Sequence, residues 1–332
     1  MFDEDELARR MKSIDPASTP LSETLSDRAS NDLQKLLDDR SPKTVARRTS
    51  RAWIGIPGIA VALILMLFVF QNLLGGAPSA QIARAATPPL LVGVGEKLSL
   101  GESVKNAIDQ LQADRAPSSR SSKSEAWFLD TELDADGNGK SFVAPQEITT
   151  AWNEDLSGEV TIVAGRPYNP SGDLVERGSA IAAEGAVLSQ QSYAPGEMGI
   201  MFPEPPPTDN VQMREYLTSA MGSPVDNDPV LALDAATLLL NEWTLGNQQQ
   251  AALLEVLSET PGFEPMGHVT DRVGRPGLAF SAASTSNANF SAVLVIGTAA
   301  GSILSIEKIY EGGIAEYSHL KPPAVTSYVA WK

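Results

Sequence analysis

From Ile54 to Phe70 the chain runs seventeen residues without a charged or polar side chain, and the apolar stretch closes with Leu73 and Leu74. At about 1.5 Å of rise per residue, a helix of that length covers roughly the hydrocarbon thickness of a bilayer. Eleven of the seventeen are Leu, Ile, Val or Phe, and at about −0.3 to −0.6 kcal/mol each they favour insertion by roughly 5 kcal/mol before Pro and Gly penalties. Pro57 falls in the first turn, where it is tolerated. A buried core helix rarely goes so far without a polar face, so residues 53–74 are predicted as a single transmembrane helix.

The flanks orient it. Arg40, Lys43, Arg47, Arg48 and Arg51 precede the run with no acid among them, whereas the first cation after it is Arg84. The positive-inside rule then makes residues 1–52 cytoplasmic and everything beyond the span extracytoplasmic, in a plasma membrane. A signal peptide cut among the small residues from Ala77 to Ala86 is the rival reading; the 52 residues ahead of the run and the run's length argue against it.

Charge divides along the same line. Residues 1–52 hold 10 basic and 10 acidic side chains, so the net charge of −16 belongs to the outer part. An acidic exterior repels nucleic acid and anionic lipid. The chain has no cysteine, which excludes a disulfide framework, a thiolate zinc site and a cysteine nucleophile. The outer part is long enough to be held together by its core alone.

The cytoplasmic segment carries two helical patterns, 3–14 and 26–38, broken by PASTPLSET. Leu33, Leu36 and Leu37 form a short apolar stripe on the second. So few large apolar side chains cannot build a core, so the segment is either a disordered tail or one that folds onto a cytoplasmic partner through that stripe. Residues 75–94 are rich in Gly, Ala and Pro and read as a linker, and the outer domain is placed at 95–332.

Within that domain Leu100, Val104, Ile108 and Leu111 mark one helical face over 99–115, which RAPSSRSSKS ends. AWFLDTEL, SFVAPQEITTAW, GEVTIVAG, DLVERG and AVLSQQSY read as antiparallel strands. Helices follow over 210–221, 229–243 and 247–259, with Asp209 and Asp228 as N-caps. MGHVTDRV and LAFSAAS, joined by GRPG, make a hairpin; NFSAVLVI and SILSIEKIY, joined by GTAAG, make another; AVTSYVAW follows. This order predicts an α+β fold: a transmembrane helix, then an extracytoplasmic domain with an antiparallel sheet, open or half-barrel, packed on helices.

Motifs that carry chemistry are scarce. Asp134, Asp136, Asn138 and Gly139 match the first half of a calcium loop, but Pro145 stands where a bidentate Glu is required, and a turn between strands explains the same residues. His268 and His319 lie in no metal-ligand spacing. There is no GxSxG elbow, SxxK pair or glycine-rich phosphate loop, and Glu154 with Asp155, or Glu184 and Glu197, read as solvated loop charges. No catalytic, cofactor or metal residues are assigned, no cofactor is expected, and the chain is read as not an enzyme. Trp127, Trp152, Trp243 and Trp331 read as core residues, with a cleft for an apolar or glycan ligand as the alternative.

PGFEPMGHVTDRVGRPGLAF (261–280) and KPPAVTSY (321–328), with ATPPLLVG (86–93) and FPEPPPTDN (202–210), give the chain a likeness to a known group. It resembles a family of actinobacterial single-pass membrane proteins of uncharacterised function, often encoded beside extracytoplasmic-function sigma factors. The likeness implies an outer sensing or binding domain and an inner segment contacting a sigma factor or other regulator. Members commonly carry an Asp-Pro-Ala-Thr-Gly turn where this chain has Gly297-Thr-Ala-Ala-Gly301. A zinc anti-sigma module would need His and Cys in residues 1–52, which have neither, leaving a metal-free contact. The expected partners are therefore the bilayer, that regulator and an outer ligand. The alternative is a membrane-tethered module for a lipid or cell-envelope ligand with no signalling role.

Overall fold

The computed structural model describes residues 86–111, 116–129, 142–171, 173, 182–317 and 320–332. In chain order these give α1 (Leu100–Leu111), β1 (Ser121–Phe128), β2 (Gln146–Trp152), β3 (Gly158–Ala164) and β4 (Val187–Tyr193). Then come α2 (Asn210–Met221), α3 (Pro229–Glu242), α4 (Asn247–Glu259), β5 (Phe263–Thr270), β6 (Pro276–Ala283), β7 (Phe290–Gly297), β8 (Ile303–Tyr310) and β9 (Ala324–Trp331).

All nine strands join one sheet in the order β4-β3-β2-β1-β9-β8-β7-β6-β5, and every neighbouring pair is antiparallel. Two meanders, β1–β4 and β5–β9, meet where β9 pairs with β1, as in Ala126 opposite Val329. The helices cross from the β4 edge to the β5 edge between the two meanders.

Helix boundaries follow local chemistry. Asp209 accepts from the N–H groups of Val211 and Gln212 and starts α2, which Gly222 ends in the left-handed region. Asp228 does the same for α3 ahead of Pro229 at the first helical position. The Gln249 side chain returns to the Gly246 N–H at 2.9 Å and starts α4.

Period two then sorts the strand side chains onto two faces. Ala126, Val329, Trp331, Leu294 and Ile306 pack with Leu233, Leu239, Leu253 and Leu257 of α3 and α4. Each fully buried leucine contributes about 1.5–3 kcal/mol before its entropy cost. Trp127, Tyr328, Val293, Val295 and Ala279 form a second core on the opposite face, with Leu91 and Tyr168 against it.

The expected fold class needs correction. The described residues are dominated by one continuous nine-stranded antiparallel sheet rather than by a sheet-and-helix α+β layer, and the four helices are the smaller part. The reason is non-local: pairing of β9 with β1 fuses hairpins that sequence periodicity leaves separate. No helix among the described residues is long and apolar enough to cross a membrane. Residues 53–74, on which the span was read, lie outside them, as does the whole segment 1–52.

Smaller differences have local causes. The stretch read as a breaker, Ser121 to Ser124, is the first half of β1, because pairing with β2 and β9 overrides the low strand propensity of serine. The first hairpin turns at Asp271–Arg275 rather than at 274–277. Pro265 is tolerated within β5 because that strand is at the sheet edge and bulged there.

Candidate functional site

On the second face, β8 places one carboxylate among apolar neighbours. Ile306 turns to the helices, so Glu307 must turn to the other core, opposite Val293 on β7 and Tyr328 on β9. Glu307 is 0 % exposed and Arg272, reaching over from the β5–β6 turn, is 9 % exposed. The pairing is bidentate, with Arg272 Nε donating to Oε1 at 2.8 Å and Nη2 to Oε2 at 2.6 Å. Burial pushes the Glu307 carboxyl up, against the pull of the guanidinium. The same guanidinium lies 5.7 Å from the centroid of the Tyr328 ring, and Tyr328 stacks on Trp127 with centroids 6.5 Å apart.

Around this pair most polar groups are tied off, although the buried Ser305 hydroxyl on β8 has no hydrogen-bond partner. Asp271 accepts from the N–H groups of Val273 and Arg275 at 3.1 and 2.8 Å, which folds the turn. Its other oxygen takes Arg275 Nη2 at 2.6 Å, and Arg275 also donates to the carbonyls of Leu304 and Trp331. Tyr328 Oη donates to Glu125 at 3.4 Å; burial raises the Glu125 carboxyl, and Lys332 pulls it back.

The remaining Arg272 bond is the informative one. Nη2 donates to the backbone carbonyl of Pro89 at 2.7 Å, which lies in the stretch read as linker. Residues 86–94 form a strap on the sheet. Pro88 is buried, Leu91 packs against the second core, and Val94 exchanges two backbone hydrogen bonds with His268 at 2.9 and 2.8 Å. Gly93 is required, since a Cβ there would overlap the Met266 carbonyl. The strap covers the free edge of β5 and leads into α1. Chemically, this cluster holds chain segments together through a desolvated ion pair.

A second cluster sits under the helices. Glu242, at the end of α3, accepts from the N–H groups of Met201 and Phe202, both at 2.8 Å. Burial pushes its carboxyl up to about 7, against those two donors. Trp152 and Trp243 meet edge to face at 5.2 Å. Their indole N–H groups donate to the carbonyls of Glu242 and Phe202, and Arg120 lies over both rings. On the helical side a recess of about 850 Å³ is lined by Ile108, Leu111, Pro117, Thr208, Gln249 and Glu255 among others.

The sequence-predicted residues fall elsewhere. Leu33, Leu36, Leu37, Arg40, Lys43, Arg47, Arg48 and Arg51, the partial calcium loop from Asp134 to Gly139, and His319 lie outside the described residues. His268 is exposed on β5 and engaged there through its backbone. Asp155 and Glu197 cap turns through Ser157 and Ala194. The four outer tryptophans pack in the two cores. Arg272, Glu307 and Glu242 were not singled out from sequence; the available signal was Glu307, a lone acid in the core phase of the apolar strand SILSIEKIY. Among the described residues no group of three or more His, Cys, Asp or Glu is placed to hold a metal ion. Compared with models of known protein families and with curated proteins, the chain matches none.

Proposed function

We propose that this chain is a membrane-tethered sensing protein of the cell envelope. The acidic sheet domain reads a ligand outside, and residues 1–52 contact a cytoplasmic regulator such as a sigma factor, in a metal-free, anti-sigma-like manner. The observation that supports this reading is the strap. Residues 86–94, a little way after the apolar run, are joined to a buried ion pair inside the domain, so this part of the chain is held on the sheet. A passive anchor has no need of that connection. Leu33, Leu36 and Leu37 supply the apolar stripe for the inner contact, and Arg40, Lys43, Arg47, Arg48 and Arg51 keep it inside.

Crosslinking of the tagged full-length protein in its own membrane, with mass spectrometry of what residues 1–52 capture, tests it. Recovery of a transcription regulator is expected; an empty inner segment overturns the signalling role. A second reading, a tethered binding module for a lipid or cell-envelope ligand, is favoured by the recess between α1 and α4. It predicts that deleting residues 1–39 leaves the phenotype intact.

A further inference from the structure

The strap has apolar side chains on both sides. Leu91 and Gly93 face the domain, one packed against the second core and the other against the Met266 carbonyl. The alternate residues Leu90, Val92 and Val94 are 39, 76 and 64 % exposed. In extended chain, alternate positions share a side, so these three form one outward apolar row. It stands on a domain of net acidic charge, in a segment pinned by Arg272 and by His268. Exposed single apolar residues need no explanation, but a fixed row of three does.

Position along the chain says what covers it. Leu90 follows Leu74, the end of the apolar run, by sixteen residues. At about 3.3–3.6 Å per residue that intervening chain reaches at most ~60 Å, so the row is held at high effective concentration beside whatever the run is embedded in. The only charge among residues 75–95 is Arg84, so nothing repels this stretch from a lipid surface. We propose that Leu90, Val92 and Val94 form a membrane-contact row that seats the β5 edge of the domain on the outer leaflet. This rests on the membrane-tethered reading and adds to it the surface through which the folded domain touches lipid. Because the row is apolar and the domain acidic, the matching surface is zwitterionic lipid, without a requirement for anionic headgroups.

The absence of cysteine makes the test clean. Full-length V92C and, as the control, E215C on the exposed side of α2 are labelled with an environment-sensitive fluorophore and reconstituted in phosphatidylcholine vesicles, with and without brominated lipid. The label at 92 is expected to shift to the blue and lose most of its emission to brominated lipid, while the label at 215 changes little. If the protein floats with the vesicles but brominated lipid quenches neither label and neither shifts to the blue, the row does not touch lipid and the proposal falls, although the tether reading survives. A blue-shifted label at 92 that brominated lipid does not quench means that protein covers the row, and overturns the proposal. Failure of the chain to associate with vesicles at all removes the tether reading and the proposal with it.

Discussion

Removing Arg272 tests whether the second core depends on its ion pair. In R272M the methionine replaces most of the arginine's aliphatic volume, but Glu307 stays at 0 % exposure with both oxygens stripped of their donors, and the Pro89 carbonyl loses its bond. Breaking a buried pair from one side costs about 3–5 kcal/mol, because an uncompensated charge is left in low dielectric. Against a total stability of about 5–15 kcal/mol, that is a large fraction. The double variant R272M/E307L removes both charges and is expected to lie within about 1 kcal/mol of the parent, or above it, since apolar replacement of a buried pair is often neutral or stabilising. Urea unfolding of the full-length chain, followed by tryptophan emission, reads both. Trp127 reports locally through its stacking on Tyr328. The cost of R272M should also shrink at acid pH, because an unpaired Glu307 can protonate, whereas a mere packing defect would cost the same at every pH. The reasoning is refuted if R272M costs less than about 1 kcal/mol, or if the double variant is as unstable as the sum of the single ones.

Other tests follow from the same geometry. The Glu242 carboxyl, raised from 4.5 to about 7 by burial, is more protonated in the folded than in the unfolded chain. Its contribution is therefore fully favourable below about pH 4.5 and is lost as pH rises towards 7, by on the order of 3 kcal/mol. Unfolding midpoints measured across that window should flatten in E242Q. Asp228 runs the other way: burial alone would raise it, but donors from Ser286, Ser284 and Val230 hold it down at about 2. Its share, on the order of 2 kcal/mol, is present above about pH 4 and is lost as pH falls towards 2; D228A should lose it at neutral pH together with the α3 cap, as thermal unfolding would show. G93A should lift the strap from Met266, raising amide exchange at Val94 and His268 while leaving α3 and α4 protected.

What could be read in advance was local. Asp209 and Asp228 capped the helices where an acceptor before an apolar period is expected, and the bounds of α2 and α4 matched because cap and period agree there. The turn from Gly297 to Gly301 matches because Gly301 admits the left-handed backbone it requires, at φ 69°. What failed was non-local. Nothing within Ser121–Ser124 announces a central strand; only its two neighbours make it one. The candidate site was hidden for the same reason, since Arg272 lies 35 residues before Glu307 and 183 after Pro89, and Arg272 alone resembles an ordinary turn charge.

β9 carries a consequence for how the chain is made. It is the last of these nine strands to be synthesised, yet it lies at the seam of the sheet, between β1 and β8. Until it emerges, β1 and β8 each have a raw edge, and β1–β4 and β5–β8 are separate four-stranded pieces with no backbone bond between them among the described residues. Assembly must wait for one strand to zip both edges at once, a long-range closure of the kind that slows folding and leaves adhesive edges open meanwhile. A nascent chain stalled before Ala324 would hold eight strands and still lack a continuous sheet.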